Sequence, residues 1–289
     1  MRKKLYYCDS YHKRLETLLQ KNQVSYNIVK DVKEKPLLIS FSLYEESPVC
    51  QFIQLYTRAK PIVTNEFTNQ ELMEAEYLTV IPVVQCVEIM NTQEAFLYAC
   101  KRRAFLGREK YEHREQIEKL EVKSRSLPRQ TFLFSEATGS TEIFGKRTFR
   151  DIVQRENISG IQFLPVLDTK SKEERNGLFQ IRANQTVEAS KIIVDKDIKV
   201  KKCPVCGKLR YICGQDHLLT INCYSTDLGS DFYQTEAIFG EGFGYRYYII
   251  SNQLYRLLLK YGLNKNLRFE PVELLNTTNN GVVRKSMSG

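Results

Sequence analysis

The feature that most constrains how this chain can fold is a phrase that it contains twice. Thr148 precedes the amphipathic stretch Phe149-Arg150-Asp151-Ile152-Val153-Gln154-Arg155, followed by a turn at Asn157-Ile158-Ser159-Gly160 and the apolar run Ile161-Gln162-Phe163-Leu164-Pro165-Val166. Displaced by 106 positions without a gap, Tyr255-Arg256-Leu257-Leu258-Leu259-Lys260-Tyr261 leads through Gly262-Leu263-Asn264 into Leu267-Arg268-Phe269-Glu270-Pro271-Val272. The copies share the helical arginine, the strand phenylalanine and the closing Pro-Val. In the second copy Tyr247–Ile250 reads as a strand, Ser251 as a helix N-cap and Gly262 as a left-handed stop; Thr148 is the expected cap in the first. Each copy should therefore be strand, helix and strand, in an α+β fold with a duplicated helix–strand unit.

Between the copies lies Cys203-Pro204-Val205-Cys206-Gly207. Two cysteines separated by two residues and followed by glycine match a zinc knuckle, in which a tight turn aims both thiolates at one tetrahedral metal. A closed site needs two more ligands, and Cys213, His217 and Cys223 follow within reach. The expected metal set is Cys203, Cys206, Cys213 and Cys223, with His217 as a substitute, and the expected ion is a structural zinc. The rival reading is a reduced, metal-free pair in a tight turn. A redox role fits less well, because such motifs open a helix, whereas Gly207 to Tyr211 continues as a strand. The knuckle is thus an inserted hairpin. Cys8, Cys50, Cys86 and Cys100 stand apart among apolar neighbours and read as small buried hydrophobes.

In the first half, Asp9 or Ser10 can cap a helix carrying Leu15, Leu18 and Leu19, and Pro36 introduces a strand over Leu37–Leu43. Pro82 places the β-branched run 78–87 at an edge or splits it in two. Thr92 is a plausible cap for a long helix over Gln93 to about Lys123, whose later part carries opposite charges at helical spacing. Ser124-Arg125-Ser126-Leu127-Pro128-Arg129 would end it, giving two domains, 1–125 and 126–289.

No apolar run is long enough to span a bilayer and the N-terminus is too polar for a signal peptide, so a cytoplasmic protein is expected. The formal net charge of +9 favours an acidic partner, nucleic acid or protein, with basic residues around the knuckle at Lys199, Lys201, Lys202, Lys208 and Arg210. The three histidines, His12, His113 and His217, offer few bases, and the chain has no nucleophile elbow, phosphate loop or zinc-protease helix. Gly240-Glu241-Gly242-Phe243-Gly244 precedes a strand rather than a helix, so it lacks the anion-binding terminus of a dinucleotide loop.

The region from Gly229-Ser230-Asp231-Phe232 through Ile249–Leu254 to Leu267–Val272, with a knuckle before it, resembles bacterial immunity proteins of polymorphic toxin systems, closest to those of the double-CXXCG type. The likeness covers residues from about 130 to 275. This chain departs from the type in having one complete motif; Cys213-Gly214 is the end of a second without its first cysteine. The resemblance implies a non-catalytic protein that binds and neutralises a cognate toxin domain. The alternative, from charge and knuckle together, is a zinc-ribbon protein that binds nucleic acid or regulates.

Overall fold

The computed structural model describes residues 2–8, 12–30, 34–44, 47–53, 62–97, 115–124, 132–136, 142–194, 198–203, 207–212, 217–223, 228–240 and 244–275. It is a mixed, strand-rich α+β structure that divides into two compact units, one of residues 1–68 with 214–217 and one of the remainder.

The first unit holds β1 (Arg2–Cys8), α1 (Lys13–Lys21), β2 (Tyr26–Lys30), β3 (Pro36–Tyr44), α2 (Cys50–Ile53) and β4 (Ile62–Asn65). Its four strands form one sheet in the order β2-β3-β1-β4, and the three pairings are antiparallel. Alternation in β3 sends Ile39, Phe41 and Leu43 inward against Leu15 and Leu19 of α1. The helix is preceded by His12, which makes no side-chain cap, while Asp9 and Ser10 lie outside the described residues.

The second unit opens with α3 (Asn69–Glu74), β5 (Tyr77–Pro82), β6 (Gln85–Ile89), α4 (Thr92–Ala95) and β7 (Phe96–Leu97). There follow β8 (Glu115–Gln116), β9 (Glu121–Ser124), β10 (Leu133–Glu136), β11 (Ile143–Lys146), α5 (Arg147–Arg155), β12 (Ile161–Asp168), β13 (Glu174–Ala183), β14 (Gln185–Val187) and β15 (Ile192–Ile193). The last are β16 (Lys199–Lys202), β17 (Leu209–Ile212), β18 (Thr220–Ile221), β19 (Phe232–Thr235), β20 (Ile238–Phe239), β21 (Tyr248–Ser251), α6 (Asn252–Lys260), β22 (Leu267–Pro271) and β23 (Glu273–Leu274).

Six strands close a barrel in the order β10-β11-β13-β12-β9-β6, and five form an open sheet, β14-β19-β21-β5-β22. Val87, Val122, Phe134, Phe144, Val166 and Leu178, one from each barrel strand, pack together as the barrel filling. A second core joins Leu133, Ile143 and Ile181 to α5, α6 and one face of the open sheet. A third covers the opposite face of that sheet through Tyr77, Val187, Tyr233, Tyr247 and Ile249. Burial on both faces explains why β5 and β21 read as continuous apolar runs rather than alternating ones.

The long helix expected over 93–123 is not formed. Among the described residues of this span only Thr92–Ala95 is helical; 98–114 lie outside the described residues, and 115–124 contribute two short strands. Buried Leu120 and Val122 alternate with the more open Glu121 and Lys123, so period two wins here over the i,i+4 charge pattern once β9 can pair with β6 and β12. The expected domain division at 125/126 does not separate the units either. Strands on its two sides are hydrogen-bonded together, β5 with β21 and β22, β6 with β10 and β9 with β12.

The repeated phrase corresponds to β11-α5-β12 and β21-α6-β22. In each, the two strands are parallel neighbours once removed, with one antiparallel strand between them: β13 in the barrel, β5 in the open sheet. The displacement is not uniform. Helices and stops correspond at 105 positions: Glu156 and Tyr261 donate to Ile152 and Leu257 carbonyls, and Asn157 and Gly262 take φ of 54° and 63°. The second connection then carries one extra residue, after which Gly160 and Asn266, with φ of 83° and 62°, precede strands aligned at 106. Ser251 caps α6 as expected, accepting from Leu254 N–H at 3.2 Å. In the first copy the cap position falls on Lys146, and Thr148 sits within the first turn.

Candidate functional site

The knuckle sequence closes the hairpin of β16 and β17, registered Lys199 with Ile212 and Lys202 with Leu209. Cys203 N–H donates to Lys208 O at 2.9 Å, and Gly207 N–H donates back to Cys203 O at 2.9 Å. Gly207 takes φ of 72°, a left-handed conformation that an L side chain adopts with strain, which is why glycine follows the second cysteine here. Cys203 is buried. Residues 204–206, between these two hydrogen-bonded ends, lie outside the described residues.

The other proposed ligands are less well gathered. Cys206 and Cys213 lie outside the described residues. Cys223 follows β18 in a different sheet and packs in the apolar core with Tyr77, Leu219 and Ile221. His217 is buried and belongs to the first compact unit, whereas Cys203 and Cys223 belong to the second. Among the described residues no three His, Cys, Asp or Glu side chains are grouped to hold a metal.

β16 is the edge of its three-stranded sheet, β16-β17-β20. It exposes Lys199, Val200 and Lys202 along that edge, with Lys201 half-buried. Arg210, counted with these lysines from sequence, is instead 2% exposed. Gly244 approaches it so closely that a Cβ there would stand 3.0 Å from Nη2. The basic surface of the hairpin therefore comes from its lysines.

One end of the barrel is closed by polar side chains that sequence reasoning did not single out. Gln180, fully buried on β13, donates through Nε2 to Gln116 Oε1 at 2.7 Å and to Glu142 Oε2 at 2.7 Å. Gln116 Nε2 donates to Gln180 Oε1 at 3.1 Å and to Glu118 O at 2.9 Å, and Arg182 Nη2 donates to Gln116 Oε1 at 2.7 Å. Both amide groups thus have their donors and acceptors used, which locks β8 over the barrel mouth. At the end of β11 remote from Glu142, Lys146 Nζ lies 5.4 Å from the Phe134 ring centre and 5.7 Å from that of Phe132. Burial pushes the Lys146 ammonium down from its ordinary pKa and the neighbouring Cys86 thiol up, so the thiol is held away from its nucleophilic form.

Two further junctions fasten the β-α-β units to each other. Asp231 Oδ2 accepts from Ser159 N–H and from Ser159 Oγ, both at 2.9 Å, while Oδ1 accepts from Ser251 Oγ at 2.6 Å. One carboxylate therefore joins the loop after α5 to the N-cap of α6. At the other ends of the helices Tyr261 Oη donates to Glu156 Oε1 at 2.5 Å, and Arg155 stacks 5.0 Å from the Tyr261 ring centre. The Tyr261 hydrogen bond, then Lys260 and Arg155, hold the Glu156 carboxyl below its usual range. Beneath the open sheet Tyr77 Oη donates to Leu228 O at 2.5 Å, and burial pushes the phenol pKa up to about 12, so it stays protonated.

No protein-family model matches the chain, and no curated protein or solved structure matches it. Among the described residues no helix is long and apolar enough to cross a membrane.

Proposed function

We propose that this chain is a non-catalytic, cytoplasmic immunity protein that binds and neutralises a cognate bacterial toxin domain. The observation that carries the reading is the correspondence between the repeated phrase and two β-α-β units bolted together at Asp231 and Glu156. The resemblance to immunity proteins rests on Gly229–Phe232, Ile249–Leu254 and Leu267–Val272, which belong to the second of these units and its junction with the first, beside which the hairpin exposes Lys199 and Lys202. A rigid, cationic surface suits an acidic partner, since charge complementarity raises association rates. In this reading zinc, bound first by Cys203 and Cys206, is a structural staple of the hairpin and supplies no chemistry of its own.

The test is co-expression with the toxin domain encoded beside this gene. Growth rescue and a stable co-purified complex are expected, and Lys199→Glu/Lys202→Glu should slow association while leaving the fold intact. A neighbouring product that is not toxic, or a toxin that kills equally with and without this chain, overturns the proposal.

The same lysines favour a second reading, a zinc-ribbon protein that binds nucleic acid. That reading requires affinity for DNA or RNA to fall steeply between low and physiological salt, because phosphate contacts release counterions. Binding that is insensitive to salt rejects it.

A further inference from the structure

Two described edge strands, β16 and β2, differ in character. Lysine on an edge strand discourages pairing with another chain, and β16 carries three in four residues. β2, at the end of β2-β3-β1-β4, reads Tyr26-Asn27-Ile28-Val29-Lys30, with one charge, at its last position, and that charge is paired with Glu34 at 2.8 Å. Val29 is 47% exposed, and Asn27 is exposed as well. An open groove of about 710 Å³ lies across β2 and its inner neighbour β3, lined by residues 24–27 on one side and by Ser40, Ser42 and Tyr44 on the other.

We propose that β2 pairs with β2 of a second copy of this chain, antiparallel about a two-fold axis at Ile28. The faces and the length of the strand together select this register. Tyr26 and Ile28 pack against the core of the first unit, with Tyr26 opposite Phe41 and Ile28 opposite Ile39. Residues directly opposite in an antiparallel pair point to the same side, so a continuous eight-stranded sheet requires core-facing residues to meet core-facing residues. Centring on Ile28 satisfies this and uses all five residues. It sets Asn27 opposite Val29, twice, and Lys30 opposite Tyr26, with no like charges opposed. The Ile28 side chains meet on the axis and extend both cores. A five-residue strand is only about 17 Å long. The dimer is accordingly a reversible, concentration-dependent one rather than an obligate pair.

Sedimentation of the full-length protein over a range of concentrations tests this. Wild type should show a monomer–dimer equilibrium. Asn27→Lys/Val29→Lys places like charges opposite one another at both symmetric positions and should weaken dimerisation about tenfold or more. Asn27→Lys/Val29→Glu places opposite charges at the same positions and should restore it. Both substituted side chains are exposed, so melting temperatures close to wild type are expected and confirm that the variants fold. Three results overturn the proposal: a wild type that stays monomeric, including one that engages only a different protein through this edge; two double variants that dimerise equally; or two that fail equally.

Discussion

Asp231 is the sharpest test of how the two β-α-β units are held together. Replacing it with alanine removes three hydrogen bonds to a carboxylate, two from Ser159 and one from Ser251. The pair to Ser159 is exposed to solvent, at about 0.5–1 kcal/mol each, while the shorter, partly buried bond to Ser251 contributes about 1–2 kcal/mol. The loss should total about 2–4 kcal/mol, because Ser251 also caps α6 and is oriented for that task by Asp231. Urea unfolding at neutral pH reads this as a lowered midpoint with an unchanged slope. A double-mutant cycle with Ser159→Ala isolates the link to the loop after α5 and should give a coupling of about 1 kcal/mol. A total loss below about 0.5 kcal/mol, or a coupling indistinguishable from zero, would show that packing alone joins the units.

Three other outcomes are expected. Glu270 is 3% exposed on β22, and burial raises its carboxyl pKa against the opposing pull of Arg268. A raised native pKa means stability is lost as pH rises through it, so Glu270→Gln should be most stabilising relative to wild type near neutrality, with the gain shrinking towards about pH 4; unfolding free energies that differ by a constant amount across this range refute it. Gly160 and Gly177 share φ of 83°, but a Cβ at Gly160 would collide with the Phe232 carbonyl whereas Gly177 faces open space. Gly177→Ala should therefore cost only about 1 kcal/mol of backbone strain. Gly160→Ala should cost several times more, and equal melting temperatures for the two variants would contradict the structure. For the knuckle, elemental analysis should find about one zinc per chain, with Cys203→Ser or a chelator lowering the melting temperature; a fully folded, metal-free protein removes the zinc proposal.

What could be read from sequence was whatever was encoded locally. Pro82 does split its run into β5 and β6, Pro36 does open β3, and Ser251 and Gly262 do bound α6 in the conformations their chemistry prefers. The segment 115–124 misled because alternating charges fit a solvent-facing helix as well as a strand, and only pairing partners far away in sequence decide between them. The barrel-mouth network is illegible for the same reason: Gln180 meets Glu142 and Gln116 across 38 and 64 positions. Nothing local distinguishes those glutamines from surface ones. Arg210 was misplaced because it was grouped by charge with Lys199, Lys201, Lys202 and Lys208, while on β17, the central strand between β16 and β20, it is buried beside Tyr211. The hairpin, by contrast, follows from Gly207 alone, since the left-handed turn after a Cys-x-x-Cys pair calls for glycine.

The placement of β5 bears on how the chain is made. Thr79 in its middle hydrogen-bonds to the Glu270 carbonyl, 191 positions later. At synthesis rates of about 5–20 residues per second, that apolar strand waits roughly 10–40 s for β21 and β22 to leave the ribosome. A truncation beginning near residue 126 would carry the whole repeat and knuckle yet lack the strand on which the second unit's open sheet is assembled. Such a fragment should be insoluble, and during normal synthesis the nascent chain has to keep β5 shielded from other polypeptides until its last strands arrive.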